Sequence, residues 1–179
     1  MQAMAGAARP SAGVLASLTV GVLATFTMDL AMVAAATLDP DRFADDRLGP
    51  KTIGRWVASC RLGAWRSDDI TQEPAKNGEA AIGMATHYAT GLALTWTYFL
   101  LLRRCGRRSS LSKATAYGAA TALLPLLVMY PAWGYGAFGL RDPNAARLAR
   151  AMLLGHTAFG AAIGLWTALL SRDPRSRIG

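Results

Sequence analysis

The sequence predicts an all-α integral membrane fold: a four-helix bundle with both termini in the cytoplasm and one long loop outside. Three observations predict it. Four stretches of the 179-residue chain are apolar over the roughly 20 residues that cross a bilayer. Those stretches are too long and too rich in Ala and Leu for barrel strands, the only other structure whose backbone is satisfied in lipid. The basic residues between them are unevenly placed. The hydrophobic fraction is held to 53% by strongly charged loops.

The first helix is expected over 14–38, ending at Asp39-Pro40. Ala34-Ala35-Ala36 resembles a signal-peptide cleavage site, but the run far exceeds the roughly 7–15 apolar residues of a signal core, so a retained helix is expected. The 39–79 loop is too long to be structureless inside a compact unit. Within it Ile53, Trp56, Val57 and Cys60 fall at helical spacing. They predict a short interfacial helix with Trp56 and Trp65 as anchors. Glu79 stands at the mouth of the second long helix, over 80–102.

The third helix is expected over 114–138, interrupted by Pro125 and Pro131. Each proline removes a donor and strands a carbonyl, that of Thr121 or Leu127. A simple kink is one outcome; a broken helix lining a cavity is the other. Asp142-Pro143 then offers a cap and a first helical residue. The fourth helix follows over 149–170, with Arg147 and Arg150 at its outer edge. The whole chain, 1–179, is expected to form a single transmembrane domain.

Net charge is +8. The 103–113 turn holds Arg103, Arg104, Arg107, Arg108 and Lys113 with no acid, and the tail holds Arg172, Arg175 and Arg177 against Asp173. In the 39–79 loop acids balance the basic residues. The positive-inside rule therefore places both termini and the 103–113 turn in the cytoplasm. The expected partners are the bilayer and either a second copy or a membrane complex. No basic–aromatic interleaving points to nucleic acid. Cys60 and Cys105 fall on opposite faces, and neither belongs to a CxxC pair.

Ionisable side chains inside the apolar runs mark the expected working layer. Asp29 lies in the first helix, and the chain's two histidines, His87 and His156, lie in the second and fourth. Such groups are costly in hydrocarbon and normally face a bundle interior or a watery cavity. Counted from Ala80 and Ala149, both imidazoles sit about 10 Å below the outer face, and Asp29 about 14 Å, at about 1.5 Å rise per residue. Met129 and Tyr130 of the third helix approach the same level. Arg55, Trp56, Glu79 and Arg147 mark the outer mouth. Gly83, His87 and Gly91 share one face, as do His156, Gly160 and Gly164; small residues of this kind let helices approach closely. Placing His87 on His156 also aligns Gly91 with Gly160 and Leu94 with Ile163, a weak parallel repeat.

Four uses of the layer are open. It organises the bundle by hydrogen bonds between helices. It holds a haem or a transition metal through His87, His156 and Asp29. It carries a proton or another ion, or binds a small ligand. Or it serves assembly, the chain being a non-catalytic subunit. No GxSxG, Walker loop, dinucleotide fingerprint or HExxH is present, so no soluble-enzyme constellation competes.

Several motifs together carry a resemblance. They are Gly21-Val-Leu-Ala-Thr25 with Met28-Asp29; Gly54-Arg55-Trp56; Glu79, Gly83 and His87-Tyr88 with Gly91; Pro125, Met129 and Pro131 with Gly134 and Gly136; Pro143-Asn144 with Ala146-Arg147-Leu148; and His156 with Phe159-Gly160. Over roughly 20–170 the chain resembles a bacterial family of short multi-pass integral membrane proteins catalogued only as a domain of unknown function. The resemblance implies a multi-pass protein of the cytoplasmic (inner) membrane and brings no activity. It also implies outer-loop histidines after the Gly-Arg-Trp element, where this chain has Ser59 or Cys60 and Ser67.

Overall fold

Helices fill the chain, and no strand occurs among the described residues. The structure is a computed structural model that describes residues 10–171. The basic tail at Arg172, Arg175 and Arg177 lies outside the described residues.

Helix α1, Pro10–Leu38, closes where the Asp39 amide donates to the Ala35 carbonyl (2.9 Å) and Pro40 can donate nothing further. A single turn, Pro40–Phe43, and a 3₁₀ turn, Asp46–Leu48, lead to α2, Pro50–Arg61. The expected short loop helix is therefore present, with a proline in its first turn where no donor is needed. Helix α3 is Glu79–Arg104. Helix α4 runs Leu111–Ala132, starting where the Ser110 hydroxyl accepts the Lys113 amide. Helix α5 is Ala145–Leu170.

Two expected boundaries are corrected. The third long helix stops at Ala132, not 138, because the chain turns away through Gly134, Gly136 and Gly139, all at positive φ. Pro125 does not break it. A π-helical stretch, Pro125–Met129, lets the Tyr130 amide reach back to the Pro125 carbonyl, so the wide turn absorbs the proline. The last helix begins at Ala145 with Asn144 before it, and Asp142 is not its cap. The Asp142 carboxylate instead accepts the Asn144 amide (2.7 Å) and bends the approach.

Three segments, Val14–Leu38, Leu111–Ala132 and Ala145–Leu170, are long and apolar enough to cross a membrane. One side of α1 presents Leu15, Leu18, Val22, Phe26, Leu30 and Val33 outward. Such a large exposed apolar face suits lipid and would be a liability in water. Helix α3 matches them in length at 26 residues but carries His87, Tyr88 and several threonines.

Helix α1 packs on α3 and α5, α4 on α5, and α2 on the N-terminal half of α3. The close crossings are made by glycine. A Cβ on Gly83 would collide with the Pro50 carbonyl, and one on Gly54 with the Glu79 carbonyl, so α2 and α3 touch backbone to backbone. Gly118 meets the His156 carbonyl and Gly160 in the same way, joining α4 to α5. Gly91 meets the Thr25 hydroxyl, joining α3 to α1. The face of small residues read from the sequence is a packing face.

Two cores result. One fills the helix layer with Val20, Ala24, Tyr98, Ala114, Phe159, Ala162 and Ile163. The other lies at the loop-bearing end, where Ile70 of the loop packs on Leu126, Tyr130, Trp133, Tyr135 and Leu148. Helices α3 and α4 meet only sparsely, near the turn that joins them. There the Tyr117 hydroxyl donates to the Leu94 carbonyl (2.8 Å) and its ring lies 5.1 Å from that of Tyr98.

Candidate functional site

Asp29 of α1 meets two consecutive residues of α3. His87 Nε2 stands 2.9 Å from Asp29 Oδ1, and the Tyr88 hydroxyl donates to Oδ2 at 3.1 Å. Consecutive helical residues diverge by about 100°, so His87 and Tyr88 straddle the carboxylate, one on each side. Their rings meet edge to face at 5.6 Å. The contact uses Nε2 of the imidazole and leaves His87 Nδ1 outside it.

The cluster lies at a change in burial along α3. Met84, Gly91, Thr95 and Tyr98 follow one stripe of α3. Below the cluster the stripe is covered: Gly91 lies on Thr25, and Thr95 and Tyr98 are buried. Above it Met84 is 45% exposed. Helices α1 and α3 are thus in close contact on the side of the cluster toward the 103–113 turn. The side chains of Asp29 and His87 keep 36% and 22% of their surface exposed.

His156 is placed differently. Its Nδ1 stands 2.8 Å from the Thr121 hydroxyl of α4. Thr121 sends its one proton to the Gly118 carbonyl (2.6 Å), which makes Nδ1 the donor and leaves Nε2 as a lone pair in neutral imidazole. Tyr130 is fully buried in the loop-end core, its hydroxyl on the Leu148 carbonyl (3.2 Å), and Met129 packs against the same core. The structure therefore joins Asp29 to His87, gives His156 a separate partner, and puts Tyr130 and Met129 in a third place. The expected metal set of Asp29, His87 and His156 is not assembled: no group of three or more His, Cys, Asp or Glu poised to hold a metal occurs among the described residues.

The residues expected at the outer mouth lie at the loop-bearing end, in a network of ion pairs. Arg55 of α2 grips both oxygens of Glu79 at 2.9 Å and donates to the Glu73 carbonyl at 3.1 Å. That guanidinium, with the Lys76 amide, holds the Glu79 carboxyl down to about 2. Trp56 donates to the Trp65 carbonyl (2.9 Å) and stacks edge-on against Trp133. Arg47 bridges Asp45 and Asp142, and Arg147 approaches Asp45 at 3.8 Å. Burial opposes the charge on Asp45, but the hydrogen bonds and charges of Arg47, with Arg147 behind, keep its carboxyl below the usual range. These pairs fasten the loop and the start of α5 over the bundle.

Sequence reasoning missed Tyr88, Thr121 and the Arg47–Asp45–Asp142 bridge. Tyr88 carried a signal, being adjacent to a histidine inside an apolar run. The bridge spans 95 positions and leaves no local signal.

A family model described as a protein of unknown function (DUF2938) matches residues 18–171. Neither a curated protein nor a solved structure matches the chain.

Proposed function

This chain belongs to the DUF2938 family, whose description assigns no activity, and from that premise we propose a function on the geometry of Asp29. The protein is a four-span protein of the bacterial inner membrane with both termini cytoplasmic, and the Asp29–His87–Tyr88 cluster binds and exchanges a proton. The observation that carries this reading is the Asp29 carboxylate, shared between an imidazole and a phenol and still partly exposed.

Several features support it. An intramembrane carboxylate beside a histidine is the usual currency of proton relays. The cluster offers a small cation too few ligands: one carboxylate, one phenol and one imidazole, against the six or more oxygens that calcium takes. A proton needs only the pair. The fourth span rests on the length of α3 and on Arg103, Arg104, Arg107 and Arg108 at its end, which favour a cytoplasmic turn.

The test is proton flux into liposomes loaded with a pH-sensitive dye, driven by a potassium diffusion potential. Liposomes with the wild-type protein should acidify about tenfold faster than those with Asp29→Asn, the loss expected when one relay group stops titrating. Equal rates for the two correctly inserted proteins would sink the reading. An absorbance spectrum and metal analysis of the purified protein address the haem and metal alternative, to which the His156 Nε2 lone pair gives its one point of support.

A further inference from the structure

One surface feature is left over by packing and by the Asp29 cluster. Where the loop meets the end of α4, a groove runs in two adjoining lobes that share Arg66, Pro131 and Arg141. The first lobe is apolar, lined further by Gly136, Ala137 and Leu140. The second is polar, lined by Ser67, Asp68, Glu73 and Gly134. Its floor is fixed by backbone: the Ser67 amide donates to the Ala132 carbonyl (2.8 Å) and that of Ile70 to the Trp133 carbonyl (3.1 Å). Gly134, at φ +94°, lies against the Asp68 carbonyl with no space for a side chain.

The two arginines differ from Arg47 and Arg55. Arg47 and Arg55 are each saturated by carboxylates. The guanidinium groups of Arg66 and Arg141 make no ion pair or hydrogen bond among the described residues; Arg66 only lies against the Trp65 ring at 5.5 Å, and the Arg141 stem crosses Gly136. Across the groove the Asp68 carboxylate likewise has no partner, and Glu73 spends one oxygen on the Ser67 hydroxyl (3.0 Å). Two arginines without ion pairs and two available carboxylates thus line one groove.

Its position matters as much as its charge. Pro131 belongs to the last turn of an apolar span, exposed Leu140 lines the site, and exposed Trp65 and Phe138 are chain neighbours of its lining residues Arg66 and Ala137. Aromatic and apolar side chains exposed at the end of a span mark the headgroup level of a bilayer.

We propose that this groove binds the headgroup of a zwitterionic aminophospholipid. The phosphate lies between Arg66 and Arg141, where guanidinium forks suit phosphate oxygens. The primary ammonium turns toward Asp68 and Glu73, and the glycerol and first acyl carbons run along Pro131, Ala137 and Leu140. This inference rests on the chain lying in a bilayer, and it is independent of the Asp29 cluster.

The test is retention of defined lipids by the full-length protein after detergent purification, counted by mass spectrometry. Phosphatidylethanolamine should be retained about fivefold more than phosphatidylcholine, which keeps the phosphate but has no N–H, and than phosphatidylglycerol, which has no ammonium. Asp68→Asn with Glu73→Gln should lower phosphatidylethanolamine to the phosphatidylcholine level. Arg66→Gln with Arg141→Gln should lower all three; among the described residues their guanidinium groups hold no ion pair or hydrogen bond, so the variants should elute and melt close to wild type. Equal retention of the three lipids by every protein overturns the proposal. So does a preference for phosphatidylglycerol, which would make the site one for anionic lipid. Displacement of phosphatidylethanolamine by millimolar inorganic phosphate alone would overturn it in favour of a free-phosphate site.

Discussion

Glu79 shows how one side chain joins loop to helix. Its carboxylate is held at about 2 by Arg55, far below its ordinary 4.5. A depressed carboxyl contributes stability above its unfolded pKa, and that contribution is lost as pH falls through the folded value. The window here runs from about 4.5 down to about 2. At pH 7 Glu79→Gln should therefore melt below wild type, by on the order of 2 kcal/mol for a hydrogen-bonded charge. The gap should narrow through that window, and a gap that stays constant from pH 7 to 2.5 would refute the assignment. At this scale the sequence was half legible. Asp29 and His87 stood out because ionisable groups are rare in apolar runs, and they do meet. Arg55 and Glu79 were both noted, but their pairing was not, because 24 positions separate them and nothing local links guanidinium to carboxylate. His156 resembled His87 in depth, yet depth says nothing about azimuth, and it turned to Thr121 instead.

Among the elements, helix existence followed from length and hydropathy, and helix ends from local chemistry. The Asp39-Pro40 stop and the short loop helix came through because proline and helical spacing act locally. The end of α4 did not. Apolar composition continues past Ala132, and only the positive φ of Gly134, Gly136 and Gly139 shows that the chain has already turned. The π turn at Pro125 was hidden for a similar reason, since a proline announces a missing donor but not how the missing bond is replaced. The crossings give the sharpest expectation at this scale. Gly83→Ala forces a methyl onto the Pro50 carbonyl, and Gly118→Ala one onto the His156 carbonyl. Each should cost about 1–3 kcal/mol in detergent unfolding, the range for an overpacked interior. Ala at Gly106, which meets nothing within 4 Å but sits at φ +60°, should cost only about 1 kcal/mol of backbone strain. Equal losses at all three would mean that contact between backbones is not what fixes the crossings.

For the molecule as a whole, the proposed orientation rests on the basic 103–113 turn. Cys105 is exposed in that turn, whereas Cys60 is half-buried and burial pushes its thiol up. In a Cys60→Ser background, a membrane-impermeant maleimide should label Cys105 in inside-out vesicles and not in intact spheroplasts; the reverse pattern would invert the topology. The weak repeat also looks different in three dimensions. In α3, His87 reaches Asp29 and Gly91 reaches Thr25, both on the preceding span; in α5, His156 reaches Thr121 and Gly160 reaches Gly118, again on the preceding span. The sequence concealed this because the partners on α1 and α4 differ chemically while the contacts correspond. The sparse meeting of α3 with α4 has a practical corollary. The covalent link at Gly106 does little that the α1–α5 packing does not already do, so the gene can be severed there. Two separately translated fragments, 1–106 and 107–179, should find each other in the membrane and co-elute through a tag on either one. Recovery of only the tagged fragment would show that continuity of the polypeptide, and not lateral docking, brings the halves together.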